Sequence, residues 1–334
     1  MKAIELACFG WRGLQAVERP DPSPASGEVL LRLQAASLNY RDLEILEGRY
    51  GVPVPLPIVP LSDAVGEVIG VGSQVEGLRV GDRVCPAFFP DWVDGPFHER
   101  FFSRQLGGNT DGVLRQLMAI PASAVVKVPA HLGGEAATLP VAGLTAWSAL
   151  TDAGVGPGQR VLVIGTGGVS LFALQLALLF GAEVLAVSSD EAALARVRAF
   201  GAVVTVNRNE HPEWGVRVRD LTGGNGADVV VDVAGAATFA QLPAALRTGG
   251  TVAMVGYASG AAVHFDMRSL FIARRARLHG HTVGSRRQFE AMCHFIEQHR
   301  MVPVVDRCFE LDAVAAAYER LGSGRAFGKI MVEL

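Results

Sequence analysis

The chain has 334 residues, of which 50% are hydrophobic and 19% are charged, and its formal net charge is −3. The length predicts two domains, and the composition excludes a disordered chain in favour of a large buried α/β core. The small negative charge provides no basic surface that could neutralise phosphates, so we expect a small-molecule partner and no nucleic acid.

The beginning of the sequence and its longest apolar stretch bear on where the protein acts. Residues 1–5 show no apolar stretch behind a basic start, which argues against a secretory signal and predicts a cytoplasmic protein. The apolar stretch at 161–187 is interrupted by glycines and polar residues. Its pieces are shorter than the roughly 20 residues that a membrane-spanning helix needs, so we expect a buried segment and no membrane contact.

The first 130 residues predict an irregular, antiparallel, β-rich domain. Their apolar runs are short and are separated by proline and glycine, with turns expected at Pro20-Asp21-Pro22, at 48–51 and at Val80-Gly81-Asp82. Proline and glycine in such clusters are the strongest local signals for turns. We assign residues 1–142 to this domain.

From Arg160 onward, short runs of Val, Leu and Ile alternate with longer helical patterns, which is typical of right-handed βαβ units. The runs are continuous rather than alternating, as expected for parallel strands covered by helices on both faces. Strands are predicted at 161–164, 184–187, 203–206, 229–233, 251–255 and 277–281, and helices at 171–180, 191–200, 212–221 and 239–246. Six parallel strands match a doubly wound dinucleotide-binding fold, to which we assign residues 143–284.

The end of the chain departs from this alternation. It predicts helices near 288–299 and 311–321 and a final strand at 329–332. We expect this tail, residues 285–334, to rejoin the N-terminal domain.

A glycine-rich turn, Gly165-Thr166-Gly167-Gly168-Val169-Ser170, lies between the first of the six strands and a helix. Such a turn lets the backbone approach a pyrophosphate, whose charge is stabilised by free amides and by the positive end of the helix. The motif alone is weak, and here Ser170 stands in place of its last glycine. A turn that only packs strand against helix is the alternative, but the position between strand and helix favours dinucleotide binding.

The end of the second strand predicts which dinucleotide binds. An NAD site usually has Asp or Glu there for the ribose 2′-hydroxyl, whereas this strand ends in Ser188-Ser189. With no carboxylate to repel a 2′-phosphate and two hydroxyls able to bind it, NADP(H) is favoured over NAD(H). Asp190 follows directly and could either cap a helix or partly restore NAD binding. Arg196 could reach the phosphate from that helix.

Seven segments spread over the chain resemble those of the medium-chain dehydrogenase/reductase superfamily. They lie at 36–42, 60–67, 80–84, 136–140, 143–147, the glycine turn and 227–232. The resemblance covers essentially the whole chain. It implies an α/β protein with a GroES-like β-barrel catalytic domain, to which the tail returns, and a Rossmann-type doubly wound parallel sheet domain.

The residues at the metal positions of this superfamily argue against zinc. Its zinc-dependent alcohol dehydrogenases hold the catalytic metal with Cys, His and a second Cys or Asp, and the matching positions here are Asn39, Ser62 and Val141. These are poor zinc ligands or none, so we expect no bound metal. The chain thus resembles the zinc-independent quinone-oxidoreductase and enoyl-reductase branch.

The spacing of the cysteines also argues against bound zinc. They lie far apart, with no Cys-x-x-Cys pair: Cys8, Cys85, Cys293 and Cys308. This spacing favours neither the four-cysteine structural zinc lobe of the zinc enzymes nor a disulfide framework. We expect four reduced and mostly buried thiols.

Without a metal, hydrogen-bond donors must stabilise the negative charge that develops on the substrate oxygen. In the branch that this chain resembles, an Asn and a Tyr face the nicotinamide, and they match Asn39 and Tyr50, with Tyr50 as the expected proton donor. Asp63 could orient a donor or pair with Arg41, and an ion pair with Arg83 is its structural alternative. For Asn39 an Asx-type turn is the alternative, and for Tyr50 an exposed turn.

Further residues are expected to bind the cofactor if the resemblance holds: Tyr40, Arg41, Thr145, Gly256, Gly284, Ser285 and Lys329. Helix capping is the alternative for Thr145, and a solvated side chain before the final strand is the alternative for Lys329. His98, His279 and His281 have no partner that the sequence identifies, and we interpret them as structural.

The sequence therefore predicts an NADP(H)-dependent, zinc-independent oxidoreductase that reduces quinones or α,β-unsaturated carbonyls by hydride transfer. A zinc-free alcohol dehydrogenase is one alternative, because no residue decides between reduction of C=C and of C=O. A non-catalytic NADPH-binding protein is another. Because relatives pair the edge strands of their dinucleotide domains, we also expect a homodimer through residues 278–282.

Overall fold

The computed structural model describes residues 1–334, and the chain divides into two units that each have their own hydrophobic core. One, here called the terminal unit, combines Met1–Leu144 with Val283–Leu334. The other, the central unit, is Thr145–Thr282. The boundaries expected from the sequence, at 142/143 and 284/285, differ from the observed ones by two residues.

The first part of the terminal unit is mainly antiparallel β-sheet, as the turn-rich sequence predicts. It contains β1 Lys2–Leu6, β2 Leu14–Glu18, β3 Glu28–Ser37, α1 Tyr40–Leu46, β4 Asp63–Val71, β5 Arg83–Pro86, β6 Leu117–Pro121 and β7 Val125–Lys127. β1 and β2 pair with each other, while β3, β4, β5 and β7 are successive neighbours in a larger sheet, and β6 also pairs with β3. This arrangement confirms the predicted β-rich domain.

The core of the terminal unit follows from the period of its strands. Along β3, Val29, Leu31 and Leu33 are buried while Arg32 and Gln34 are exposed. Side chains two residues apart lie on the same face of a strand, so this alternation turns one face of β3 inward. Full burial of each such aliphatic side chain contributes about 1.5–3 kcal/mol.

The central unit contains the predicted doubly wound parallel sheet. Its elements are α2 Leu144–Asp152, β8 Arg160–Ile164, α3 Gly168–Leu179, β9 Glu183–Ser188, α4 Glu191–Phe200, β10 Val204–Asn207, α5 Trp214–Leu221, β11 Ala227–Asp232, α6 Ala236–Phe239, α7 Leu242–Ala245, β12 Leu246–Met254 and β13 Arg277–Gly280. All neighbouring strands are parallel, in the order β10-β9-β8-β11-β12-β13. This is the strand order of a Rossmann fold, so the predicted fold class is confirmed.

One predicted helix is wrong. The sequence predicts a helix at 239–246, whereas the structure has the two single turns α6 and α7, and Leu246 already begins β12. Pro243 lies in α7 and has no backbone N–H to donate to the carbonyl of Phe239, four residues earlier, so a continuous helix cannot pass through this point.

The apolar stretch at 161–187 is divided among β8, α3 and β9, and its strand residues other than Glu183 are fully or almost fully buried. No helix of the structure is long and apolar enough to cross a membrane. The continuous apolar runs therefore belong to the core of the parallel sheet, as expected when helices cover both faces.

The tail completes the terminal unit with α8 Arg286–His299, β14 Val305–Glu310, α9 Val314–Gly322 and β15 Lys329–Glu333. β15 lies between β14 and β3, antiparallel to β3. Met331 pairs with Ser37, and the Leu38 amide donates to the Ile330 carbonyl at 3.0 Å. The start of β15 is thereby fixed beside the segment that joins β3 to α1.

The four cysteines are all free thiols, but only two of them are buried. Cys85 and Cys293 lie in the interior of the terminal unit, and burial raises the pKa of both. Cys8 and Cys308 are exposed, so the expectation of mostly buried thiols is wrong for this half of the set. Cys308 lies on β14, which has a neighbouring strand on one side only.

Candidate active site

A polar cluster lies in the terminal unit where β3 ends and β4 and β15 begin. The ammonium of Lys329 donates to the Leu38 carbonyl and to Asn39 Oδ1, both at 2.6 Å, and lies 3.9 Å from Asp63 Oδ2. Ser37, just before this segment, pairs in register with Asp63 on β4 and with Met331 on β15. The sheet register therefore brings together three side chains that are far apart in the sequence.

The cluster is buried, and its charged groups act on one another. The side chain of Lys329 is 4% exposed and that of Asp63 is fully buried. Burial lowers the pKa of Lys329, and the carboxylates of Asp63 and Asp42 oppose this decrease. Burial raises the pKa of Asp63, which the Lys329 ammonium opposes. The Lys329 side chain is thus not the solvated one that the sequence left as an alternative.

Asn39 carries the one unsatisfied hydrogen-bond donor of this cluster. Its Oδ1 accepts from the ammonium, while its buried Nδ2 has no partner within hydrogen-bond geometry, although the Asn39 side chain lies near enough to Asp63 to lower the pKa of that carboxyl. A buried unsatisfied donor costs about 1–3 kcal/mol, so it calls for a functional explanation. Because a cation on Oδ1 draws electrons from the amide, the Nδ2 hydrogens become better donors. Asn39 is also the N-cap residue directly before α1, and its backbone amide donates to Asp42 Oδ2 at 2.7 Å.

The positions that match the zinc ligands of the superfamily converge on the Asp63 carboxylate. Ser62 donates its hydroxyl to Asp63 Oδ1 at 2.8 Å, and the backbone amide of Val141 donates to Asp63 Oδ2 at 3.2 Å. Val141 lies in a π-helical turn, Leu139–Gly143, a kind of turn that is frequent at functional sites. The ion pair of Asp63 with Arg83, which the sequence left as an alternative, is absent, because Arg83 donates to the carbonyls of Leu132 and Gly133.

A second group lies around Arg41. Its Nη1 donates to Asp42 Oδ1 and to the Leu106 carbonyl, each at 3.2 Å, so it pairs with Asp42 rather than with Asp63. Its Nε donates to the Tyr50 hydroxyl at 3.3 Å, and its guanidinium lies 4.8 Å from the centre of the Tyr50 ring. Nη2 is buried without a partner. Burial raises the pKa of Asp42 to about 6, although the charge of Arg41 opposes this.

Tyr50 is half-buried and not part of an exposed turn. Its hydroxyl donates to Gln105 Oε1 at 2.6 Å, and Gln105 is held in turn by donating to the Phe102 carbonyl at 3.0 Å. Sequence reasoning missed Gln105. A glutamine in a loop carries no local signal, and only its 1% exposure and its short contact with Tyr50 identify it.

The glycine-rich turn of the central unit fits a pyrophosphate. Gly165 has φ +81°, and a Cβ on Gly167 would meet nothing within 4 Å. α3 begins at Gly168, and no side chain caps it. The backbone amides of its first turn, including Val169, are thus available to an anion, and Thr166 lies in the turn itself.

Ser170 has a structural part in this turn. It is fully buried, and its hydroxyl donates to the Ile164 carbonyl at 2.8 Å, which ties the first turn of α3 to the end of β8. This is the close helix–strand packing for which the motif ordinarily uses its third glycine. The departure from the glycine pattern is therefore compensated by a hydrogen bond.

The end of β9 has no carboxylate free for a ribose. The Ser188 hydroxyl accepts from the Asp190 amide at 3.2 Å and keeps its own proton to donate, and Ser189 is exposed. Asp190 caps α4, because its Oδ1 accepts from the amides of Ala192 and Ala193. The capping interpretation of Asp190 is confirmed.

Arg208 lies beside these serines and was missed by sequence reasoning. Asn207 pairs with Ser188 in the parallel register of β10 and β9, and the Arg208 amide donates to the Ser188 carbonyl at 2.9 Å. Its half-buried side chain makes no hydrogen bond or ion pair. The available signal was its place directly after the third strand, because neighbouring parallel strands end at the same edge.

The other predicted cofactor residues occupy varied positions. Tyr40 is exposed in the first turn of α1, and Thr145 is buried in the first turn of α2. Gly256 follows β12, where a Cβ would lie 2.6 Å from the Val233 carbonyl oxygen, and Gly284 is buried before α8. Ser285 caps α8, since its hydroxyl accepts from the Gln288 amide at 3.2 Å.

Comparison with known proteins defines the class. The alcohol dehydrogenase GroES-like domain matches residues 25–130, and the zinc-binding dehydrogenase family matches residues 168–298. These matches cover more than half of the chain. The chain belongs to the medium-chain dehydrogenase/reductase superfamily, as the sequence predicts, and is an alcohol-dehydrogenase-like oxidoreductase of the class that uses a nicotinamide cofactor.

Three similar proteins illustrate the range of this class. A zinc-type alcohol dehydrogenase-like protein of Schizosaccharomyces pombe is 39% identical, covering 92% of this chain and 91% of its own. An acryloyl-coenzyme A reductase of Metallosphaera sedula is 29% identical, covering 96% of both chains. The solved structure of an NAD-dependent alcohol dehydrogenase is 35% identical, covers both chains completely and has a TM-score of 0.91.

Proposed function

We propose that this protein is an NADP(H)-dependent, zinc-independent reductase of quinones or α,β-unsaturated carbonyls. The observation that carries the proposal is the contact between the Lys329 ammonium and Asn39 Oδ1 at 2.6 Å, with Asn39 Nδ2 left without a partner. It supplies a polarised hydrogen-bond donor at the position where the zinc enzymes of the superfamily have a metal ligand. The name of the acryloyl-coenzyme A reductase supports a conjugated carbonyl as substrate.

The donor set supports chemistry without zinc. Asn39, Ser62 and Val141 replace thiolate, imidazole and carboxylate, which are the side chains that bind zinc well. The Lys329 ammonium is hydrogen-bonded to Asn39 Oδ1, so a divalent cation bound by this oxygen would be repelled at close range. A fixed ammonium and amide instead act on the substrate oxygen as preorganised donors.

The cofactor preference rests on the central unit. The open Gly167 and the uncapped start of α3 would hold the pyrophosphate, while Ser188, Ser189 and the unpaired guanidinium of Arg208 would hold a 2′-phosphate. Asp190 is occupied as a helix cap, so no free carboxylate selects the 2′-hydroxyl of NAD. This supports NADPH even though a similar solved protein is named NAD-dependent.

NADPH, when bound, supplies the hydride. Residues of the chain stabilise the negative charge on the substrate oxygen and supply the proton. Asn39 Nδ2 donates to the carbonyl oxygen as negative charge develops there; this atom is covered in the structure, so substrate binding has to uncover it. The Tyr50 hydroxyl turns from Gln105 to give the proton. Arg41 Nε, already 3.3 Å from that oxygen, stabilises the resulting phenolate.

The experiment is a steady-state substrate panel with NADPH and NADH, using a benzoquinone, an enone, an acyl-coenzyme A enoate and a simple aldehyde. We expect turnover of the first three with a lower KM for NADPH than for NADH, unchanged by a zinc chelator. Turnover of the aldehyde alone would favour a zinc-free alcohol dehydrogenase. Tight NADPH binding without oxidation of any substrate would favour a non-catalytic protein. Loss of activity with the chelator while the protein stays folded would refute zinc independence.

A further inference from the structure

Three metal-binding side chains outside the proposed active site converge on one face of the central unit. Asp152 is the last residue of α2, His279 lies in β13 and His281 follows one residue after that strand. One ligand atom from each side chain lies within 4.8 Å of the other two. The sequence identifies no partner for either histidine, and Asp152 is more than 120 residues away from them.

The local geometry explains why the imidazoles meet. Side chains two residues apart along a strand project to the same side, so His279 and His281 lie together, with ring centres 4.4 Å apart and an interplanar angle of 44°. Asp152 Oδ2 approaches His281 Nδ1 at 3.7 Å. In a tetrahedral zinc site with bonds of about 2.0–2.1 Å, donor atoms are roughly 3.4 Å apart. The pair is therefore close to the required spacing.

The three side chains have no competing partners. Neither imidazole makes a hydrogen bond, and the only polar contact of the Asp152 carboxylate is the one with His281. The His281 side chain is 4% exposed and that of Asp152 is 37% exposed. The cluster is therefore buried at His281 and open to solvent at Asp152.

We propose that Asp152, His279 and His281 form a binding site for a divalent transition-metal ion, with zinc as the natural occupant and water completing the coordination. Two imidazoles and one carboxylate with an open position form a donor set that zinc and cobalt accept. The site would tie the end of α2 to β13, the outer strand of the parallel sheet. It is independent of the proposed function, because none of its residues belongs to the cluster around Lys329.

Pairing of β13 with a strand of a second chain would leave the three proposed metal ligands free to bind the ion. The outer edge of β13 offers backbone N–H and C=O groups, which lie in the plane of the sheet. The side chains of His279 and His281 stand roughly perpendicular to that plane. One metal ion per chain is therefore expected whether the protein is a monomer or a dimer.

The test is a titration of the metal-free full-length protein with Co²⁺, followed by its visible absorption and by calorimetry, and then competition with Zn²⁺. We expect one ion per chain, and a loss of affinity of at least about tenfold for each of Asp152→Asn, His279→Ala and His281→Ala. The matched control is His264→Ala, which removes an exposed imidazole of the same unit outside the cluster and should bind like the parent. The melting temperature should rise by about 5 °C at 100-fold excess over Kd.

His281 is buried, so its replacement can impair folding; the more exposed Asp152→Asn and His279→Ala variants then carry the test. The proposal is overturned if the parent binds no Co²⁺ or if those two variants bind it as tightly as the parent. It is equally overturned if His264→Ala weakens binding as much as they do. NADPH oxidation is not a readout of this site, so the test stands whatever the substrate panel shows.

Discussion

Replacement of Asn39 tests the proposed chemistry most directly. Asn39→Asp keeps the size of the side chain and an oxygen for the Lys329 ammonium, but it replaces the unpartnered Nδ2 donor by an acceptor. Removal of one donor to a developing oxyanion lowers kcat by about 10²–10³-fold, or about 2.7–4 kcal/mol. We expect a decrease of this size in kcat with a much smaller change in KM, because the interaction strengthens in the transition state.

Asn39→Ala separates this catalytic effect from a structural one. It removes the Oδ1 acceptor as well, which leaves the Lys329 ammonium with the Leu38 carbonyl and an Asp63 oxygen 3.9 Å away. Loss of a hydrogen bond to a buried charge costs about 1.5–3 kcal/mol, so Asn39→Ala should lose stability as well as activity, whereas Asn39→Asp keeps an acceptor for the ammonium.

The assays are NADPH oxidation at saturating enone or quinone and urea unfolding of each variant. If Asn39→Asp retains kcat within about threefold of the parent, then Asn39 is not an oxyanion donor and the reasoning fails. If both variants lose activity only in proportion to the unfolded fraction, then the cluster around Lys329 has a purely structural role.

Three further predictions concern the cofactor and the stability of the fold. Arg208→Ala should raise the KM for NADPH about tenfold or more and leave that for NADH within about twofold, and Ser188→Asp should make NADH the better cofactor, both measured by steady-state kinetics. Gly167→Ala should weaken NADPH binding about tenfold with less than about 0.5 kcal/mol change in unfolding free energy, since its Cβ meets only open space. Its contrast is Gly165→Ala, which should cost about 1 kcal/mol because φ is +81°. The pKa of Asp42 is about 6 in the folded chain and ordinarily 3.8. This difference corresponds to a free-energy penalty on the order of 3 kcal/mol for the charged form in the folded chain. Because folding disfavours its charge, its contribution to stability should fall as pH rises from about 4 to about 6, so the free energy of unfolding of the parent should decrease relative to that of Asp42→Asn over this range in urea unfolding.

For each of these three predictions, one experimental result would contradict it. Equal effects of Arg208→Ala on NADPH and NADH would show that Arg208 does not contact a 2′-phosphate. Unaltered NADPH affinity in Gly167→Ala would place the pyrophosphate elsewhere. A free energy of unfolding of the parent that rises with pH relative to that of Asp42→Asn would mean that the Arg41 charge outweighs burial at this carboxylate.

The sequence by itself determined the parallel sheet of the central unit and the turn that follows β8. Continuous apolar runs, helical patterns between them and a glycine turn are local signals, and each depends on residues within a few positions of one another. The helix predicted at 239–246 failed for a local reason as well, because Pro243 interrupts it. The capping role of Asp190 was readable from its place before a helix.

Only the tertiary structure decided how the chemically important side chains meet. Asn39, Asp63 and Lys329 come together because β3, β4 and β15 are neighbours, and no pattern in the sequence states which strands pair. Arg208 lies beside Ser188 through the register of β10 on β9, and His279 lies near Asp152, which is more than 120 residues away in the sequence. Such contacts depend on strand order and register, which are properties of the whole chain, whereas the signals in a sequence are local.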